Sequence, residues 1–343
     1  MWVIKMSDLE KINIYVPKHV GDVLNSDAKL FEVYKRDGRT INKNRFLSML
    51  IIGYHNSYVK ECEDSFNAVM KELPTESINA EECHAIAGNI LKRVILPDIP
   101  SRKGKNPVRL SLKPTNDTEG LILNIEQREE EGVPQYLCRM LMSYCEKPIT
   151  ERELLIFRNN YEFLNMACER GLSVTFSTIW NPKSIHEVIP YKLASGREEL
   201  FNYFLCGEIN NQTRKIEAKA YRLNRITNIS FGRQTLELPA DIKKHLKTMI
   251  AHGPQFMIND DDESCVRLTE KGRKSFNRIY YGRPEPERIV EREDGHYYYF
   301  RCSKDQILLY FKRFGRDEVE VMSPSSLRNA VIDFHKGALA MYE

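Results

Sequence analysis

Lys11-Ile12-Asn13-Ile14-Tyr15-Val16 and Val108-Arg109-Leu110-Ser111-Leu112-Lys113 are the two stretches that decide the fold. Each alternates polar and apolar residues, and each stops at a proline, Pro17 or Pro114. A period of two puts Ile12, Ile14 and Val16 on one side and Lys11, Asn13 and Tyr15 on the other, so each stretch reads as a short, half-buried strand. Proline removes a ladder donor and ends it. The segments beyond the two prolines are also alike. After Pro17 a helical stretch runs to about Lys35, with Val20, Val23, Leu24, Leu30, Phe31 and Tyr34 apolar; Asp37-Gly38 turns the chain. Thr40 can then cap a second helix in which Phe46, Met49, Leu50, Gly53 and Tyr54 share a face. After Pro114, Glu119 to Glu131 carries Leu121, Ile122 and Ile125, Gly132 turns, and Val133 to Cys145 carries Leu137, Leu141 and Tyr144. Strand, proline, helix, turn, helix therefore occurs twice. Tyr136-Leu137-Cys138-Arg139-Met140-Leu141 aligns with Arg45-Phe46-Leu47-Ser48-Met49-Leu50. The two strands are expected to pair within one chain.

Between the copies the sequence is helical, about Tyr58 to Leu73 and Asn79 to Leu96. From Arg102 to Lys113 it then carries Arg102, Lys103, Lys105, Arg109 and Lys113 with no acid. Beyond the second copy, Thr150 caps a helix to Arg170 that Gly171 closes. Leu172–Thr178, Glu187–Leu193, Phe201–Gly207, Ile216–Leu223 and Thr227–Phe231 read as strands of a small barrel, followed by a helix from Pro239 to Ala251. The remainder reads β-α-β-β-α-β, the order of a ferredoxin-like domain. The expected class is α+β and multidomain: 1–148 the tandem repeat with its helical insert, 149–171 a linker helix, 172–252 the barrel, 253–343 the C-terminal domain.

A length of 343 residues suits two or three domains. The net charge is only +3, so a nucleic-acid partner would need clustered rather than bulk charge. No apolar run reaches the roughly 18 residues of a bilayer span, and Met1 to Lys5 lacks a signal-peptide core, which points to the cytoplasm. Cys62, Cys83, Cys138, Cys145, Cys168, Cys206, Cys265 and Cys302 form no C-x-x-C pair and are expected as reduced, mostly buried thiols. No metal or cofactor is expected, because ligand spacing, a Gly-rich phosphate loop, a triad signature and H-E-x-x-H are all missing. Asp260-Asp261-Asp262-Glu263 and Glu129-Glu130-Glu131 read as solvated acidic runs. The reading is a binding protein, not an enzyme.

Residues 11–58, a strand followed by two helices, resemble the ribbon-helix-helix family. That resemblance implies an antiparallel ribbon whose outer face, Lys11, Asn13 and Tyr15 with Arg109, Ser111 and Lys113, meets nucleic acid. Residues 186–230 resemble a WYL domain through Ile189-Pro190-Tyr191-Lys192-Leu193, Tyr203-Phe204-Leu205-Cys206-Gly207 and Tyr221-Arg222-Leu223-Asn224-Arg225-Ile226. Here the family's Trp is Tyr203 and its Tyr is Phe204. Val319 to Arg328 resembles the extension usually found after such domains. The resemblance implies an Sm-like barrel that binds charged ligands, including single-stranded nucleic acid. Tyr203 would stack a base, and Lys192, Arg222 and Arg225 would meet phosphates. Arg222 and Arg225 are three apart, so they converge only if the strand bends near Asn224. The basic stretch of Arg102, Lys103 and Lys105 is a further nucleic-acid candidate.

In order, length and motifs the chain resembles the WYL accessory proteins that accompany compact type VI-D CRISPR RNA-guided RNases. This implies single-stranded RNA and the RNase effector as partners, with a homodimer expected. The alternative is a transcription regulator that binds duplex DNA through the ribbon and senses a ligand through the WYL domain.

Overall fold

The two alternating stretches meet as one antiparallel ribbon. The computed structural model describes residues 10–74, 79–99, 107–128, 131–195, 201–210, 214–235, 237–254, 263–279 and 282–342. In it β1 (Ile12–Val16) pairs with β2 (Val108–Leu112), Ile12 opposite Leu112, Asn13 opposite Ser111 and Tyr15 opposite Arg109. The chain divides into two units, Met1–Asn159 and Asn160–Glu343.

In the first unit β1 is followed by α1 (Lys18–Leu30), α2 (Lys43–Glu72) and α3 (Ala80–Ile90), which runs into a π-helical turn at Leu91–Ile95. After β2 come α4 (Asn116–Arg128), α5 (Val133–Cys145) and α6 (Ile149–Ile156). Ile14, Val16, Leu110 and Leu112 are buried on the inner side of the ribbon. In α2 the buried positions include Phe46, Leu47, Ser48, Leu50, Ile51 and Tyr54; in α5 Tyr136, Leu137, Cys138, Met140, Leu141 and Tyr144 repeat them at the same spacing. The true repeat therefore sets Phe46, not Arg45, against Tyr136. The sequence alignment slips by one because Ser48 and Cys138 are buried at equivalent places without a shared hydropathy that would mark them.

Three further local readings change. Asn42, not Thr40, caps α2, its Oδ1 accepting from Arg45 N at 3.0 Å. Thr40 is held instead in a small hairpin, where its carbonyl accepts from Lys35 N at 2.7 Å and Tyr34 bridges Ile41. The helix expected from Tyr58 is the continuation of α2. The expected linker helix is two, because Phe157 leaves helical geometry after α6 to pack edge-on against Phe31.

The second unit begins within α7 (Arg158–Arg170). It continues with β3 (Leu172–Thr178), β4 (Asn181–Ser195), β5 (Asn202–Ile209), β6 (Ile216–Arg222) and β7 (Ile226–Thr235). Their antiparallel order is β6-β5-β4-β3-β7. The long β4 serves two neighbours: its first half pairs with β3 and its second with β5. Register shifts between Pro190 and Lys192, where proline has no N–H to give and Tyr191 is the extra residue. A 3-10 turn at Leu223–Arg225 carries the chain from one edge strand to the other. Among the described residues β6 and β7 do not pair, so the sheet is open and not the closed barrel expected from sequence. One face is covered by α8 (Ala240–His252), whose Leu246 and Met249 pack with Tyr203, Leu205 and Ile209.

The chain ends in β8 (Ser264–Leu268), α9 (Glu270–Arg278), β9 (Arg288–Arg292), β10 (Gly295–Phe300), α10 (Lys304–Phe311), β11 (Val319–Ser323) and α11 (Ser325–Leu339). The four strands form an antiparallel sheet in the order β11-β8-β10-β9, and Val266, Phe300, Ile307 and Tyr310 lie in its core. No helix among the described residues is long and apolar enough to cross a membrane.

Candidate nucleic-acid interface

Pairing in register gives the ribbon its outer face. Because Ile14 and Leu110 point inward, Asn13, Tyr15, Arg109 and Ser111 must point out, and Arg109, Ser111 and Lys113 are exposed. Asn13 organises this face: its Oδ1 accepts from Arg109 Nε at 3.0 Å and from Ser111 Oγ at 2.9 Å. Lys11 and Lys113 stand just beyond the paired residues, both exposed. The ribbon is braced from behind by the other copy's second helix. Asn44 at the start of α2 bonds the main chain of Lys113 both ways, at 2.7 and 3.1 Å, and Cys138 of α5 donates to the Tyr15 carbonyl at 3.2 Å. Six predicted ribbon residues are thus gathered at one surface. Arg102, Lys103 and Lys105 lie outside the described residues.

The second predicted cluster is only partly assembled. Tyr203 sits opposite Arg222 on one side and Ala194 on the other, with Lys192 two pairs further along. Lys192 is exposed. Tyr203 is 7% exposed and belongs to the core beneath α8, so its ring is not a base-stacking platform. Arg222 sits over Phe201, its guanidinium carbon 3.2 Å from the ring centroid. The strand does bend at Leu223–Arg225, but Arg225 is placed at another ring, 5.8 Å from the centroid of Trp180. Its carbonyl also accepts from Ile179 N at 2.9 Å, tying the 3-10 turn to the β3–β4 hairpin. Trp180 is 68% exposed. In this sheet Trp180 is an exposed aromatic beside a cation, Arg225, a pair that sequence reading missed. The available signal was a tryptophan, one of two in the chain, in a turn-like Trp180-Asn181-Pro182-Lys183.

A third feature was not legible at all. On the sheet face opposite α8, His186 Nδ1 lies 2.6 Å from Glu208 Oε1, and Tyr221 donates to Glu208 Oε2 at 2.8 Å. These residues come from three adjacent strands beside a cavity of about 300 Å³ that Ser184, Asn210, Glu217 and Lys219 also line. Burial and the neighbouring Glu208 carboxylate push the Tyr221 phenol up, so it stays a donor. The arrangement is a polar ladder that ties β4, β5 and β6 together. All eight cysteines are free, and burial pushes Cys145, Cys168 and Cys302 up to about 12, which keeps them as unreactive thiols.

No family model matches the chain, and no curated protein matches it. Fourteen chains of solved structures do. One, described as a CRISPR Cas-related protein, superposes with a TM-score of 0.72 at 20% identity, covering 97% of this chain and 94% of its own. The chain shares the fold of that CRISPR Cas-related protein. Another, proteasome accessory factor B/C of Arthrobacter aurescens, is 15% identical over 68% of this chain and 37% of its own, with a TM-score of 0.28.

Proposed function

We propose that this protein is a single-stranded RNA-binding accessory protein that stimulates a type VI-D CRISPR RNA-guided RNase. The observation that carries the reading is the end-to-end likeness to a CRISPR Cas-related protein, joined to the sequence motifs. The architecture supports it. Two strand-helix-helix copies, each bracing the other's strand, fit a ribbon-helix-helix pair built from one chain. A fifth strand that returns beside the first through a 3-10 turn fits an Sm-like WYL domain. The order β11-β8-β10-β9 fits a ferredoxin-like extension.

In this reading Trp180 stacks on a base, while Arg225, Arg222 and Lys192 meet phosphates. Changing Trp180 to Ala is expected to cost about 1–3 kcal/mol of RNA affinity and leave the salt dependence unchanged. Changing Arg225 to Ala is expected to lower the log–log salt slope by about 0.7. Fluorescence anisotropy with a labelled strand across a salt series measures both; a Trp180 variant that binds like the parent removes the stacking assignment. Stimulation is tested by adding the protein to the guided RNase and timing target cleavage. An unchanged rate would reject the accessory role.

A further inference from the structure

Exposed basic side chains gather on one flank of the ribbon. Between α1 and α2 the chain presents Lys35, Arg36 and Arg39, and the first turn of α2 adds Lys43 and Arg45; all five are exposed. Among the described residues no ion pair engages any of them. Asp37 is the only acid from Lys35 to Phe46, and its carboxylate is occupied by the main-chain N–H groups of Arg39 and Thr40 at 2.9 and 2.8 Å. These bonds, with the Tyr34–Ile41 bridge and a left-handed Gly38, make the hairpin a fixed support for its cations. The two hydrogen bonds between Asn44 and Lys113 seat the start of α2, with Lys43 and Arg45, against the end of β2 beside Lys113.

The start of α5 has no counterpart to these cations. Where α2 starts Lys43-Asn44-Arg45, α5 starts Val133-Pro134-Gln135. Glu131 engages the nearest cation of α5, Arg139, at 3.3 Å.

A two-fold duplex site requires matched backbone contacts on both sides of the ribbon. Phosphates brought to the other flank would meet no matching row of cations at the start of α5, whereas one flexible strand needs a single basic track. We infer that this ribbon holds one nucleic-acid strand asymmetrically, its phosphates along Lys35, Arg36, Arg39, Lys43 and Arg45 and its bases toward Asn13, Arg109 and Ser111. The inference rests on the nucleic-acid-binding reading above and assigns it a site and a form of ligand.

The test uses the full chain, a labelled oligouridine strand and a two-fold symmetric DNA duplex across a salt series. The parent is expected to bind the strand more tightly than the duplex. The triple variant Arg36→Ala, Arg39→Ala, Lys43→Ala is expected to bind the strand about tenfold or more weakly, with a salt slope smaller by about 2, since each single-strand phosphate contact contributes about 0.7. Its unfolding temperature should match the parent's because the three side chains are exposed. The double variant Lys60→Ala, Lys71→Ala, exposed on the far part of α2, should leave affinity unchanged. If the parent binds the strand and the triple variant keeps its affinity and slope, the flank assignment is wrong while the RNA reading stands. Equal binding of the symmetric duplex overturns the asymmetry. A parent that binds no RNA overturns both readings together.

Discussion

At the residue scale the decisive polar group is Asp27, which is 1% exposed. Its carboxylate takes two bonds from Arg152, at 2.8 and 3.0 Å, and one from the Tyr144 hydroxyl at 2.9 Å. Changing Asp27 to Ala strands a buried guanidinium, so a loss of about 3–5 kcal/mol is expected in denaturant titration. A shift under about 1 kcal/mol would show that the pair is not buried in solution. Burial, then the charge of Asp27, raises the Tyr144 phenol well above its ordinary range. A raised folded-state value favours the neutral form, so this stabilisation is complete below the unfolded tyrosine pKa of about 10 and declines as pH rises above it. Unfolding temperatures should fall from pH 9 to 11 (a range of roughly one unit on either side of that pKa) and fall less in Tyr144→Phe; parallel curves would refute the link. None of this was legible, because Asp27 looks like any polar residue on an amphipathic helix until Arg152 is brought to it. Tyr203 failed in the opposite direction: an aromatic in an alternating strand gives no sign of which face α8 will cover. Tyr203→Ala is accordingly expected to act by opening a cavity, through stability rather than through RNA contact.

At the element scale, alternation and proline stops made both ribbon strands readable, and their pairing came from the repeat. Period-two patterning is local, and so survives in a single sequence. The open sheet was not readable, since closure depends on how far β4 bends and on which edges meet. The slipped repeat alignment has a similar cause: a helical stripe tolerates a one-residue error until buried small residues fix its phase. Gly53 illustrates what burial adds. A Cβ there would overlap the Leu155 carbonyl oxygen, and Arg158 bonds the Gly53 carbonyl at 3.1 Å. Glycine costs a helix interior about 1 kcal/mol relative to alanine. At this position the close approach of α2 and α6 reverses the preference. Gly53→Ala is expected to destabilise by about 1–3 kcal/mol, as overpacking does. A stabilised variant in calorimetry would mean the two helices separate freely.

For the whole molecule, each of the two units carries one candidate surface for the proposed RNA ligand: a ribbon with one basic flank, and a sheet with an exposed Trp180 beside Arg225. Composition gave little warning of either, because a net charge of +3 conceals a basic edge balanced by acidic runs elsewhere. The chain shares its fold end to end with a CRISPR Cas-related protein. The central claim is that the ligand is single-stranded RNA. Competition decides it most directly: the full chain, bound to a labelled RNA strand at one stated salt concentration, is challenged with unlabelled RNA of the same sequence and with duplex DNA. The account predicts that the RNA strand displaces the label at far lower concentration than the duplex. Displacement by a particular duplex at the lower concentration would contradict it and favour a DNA-binding regulator.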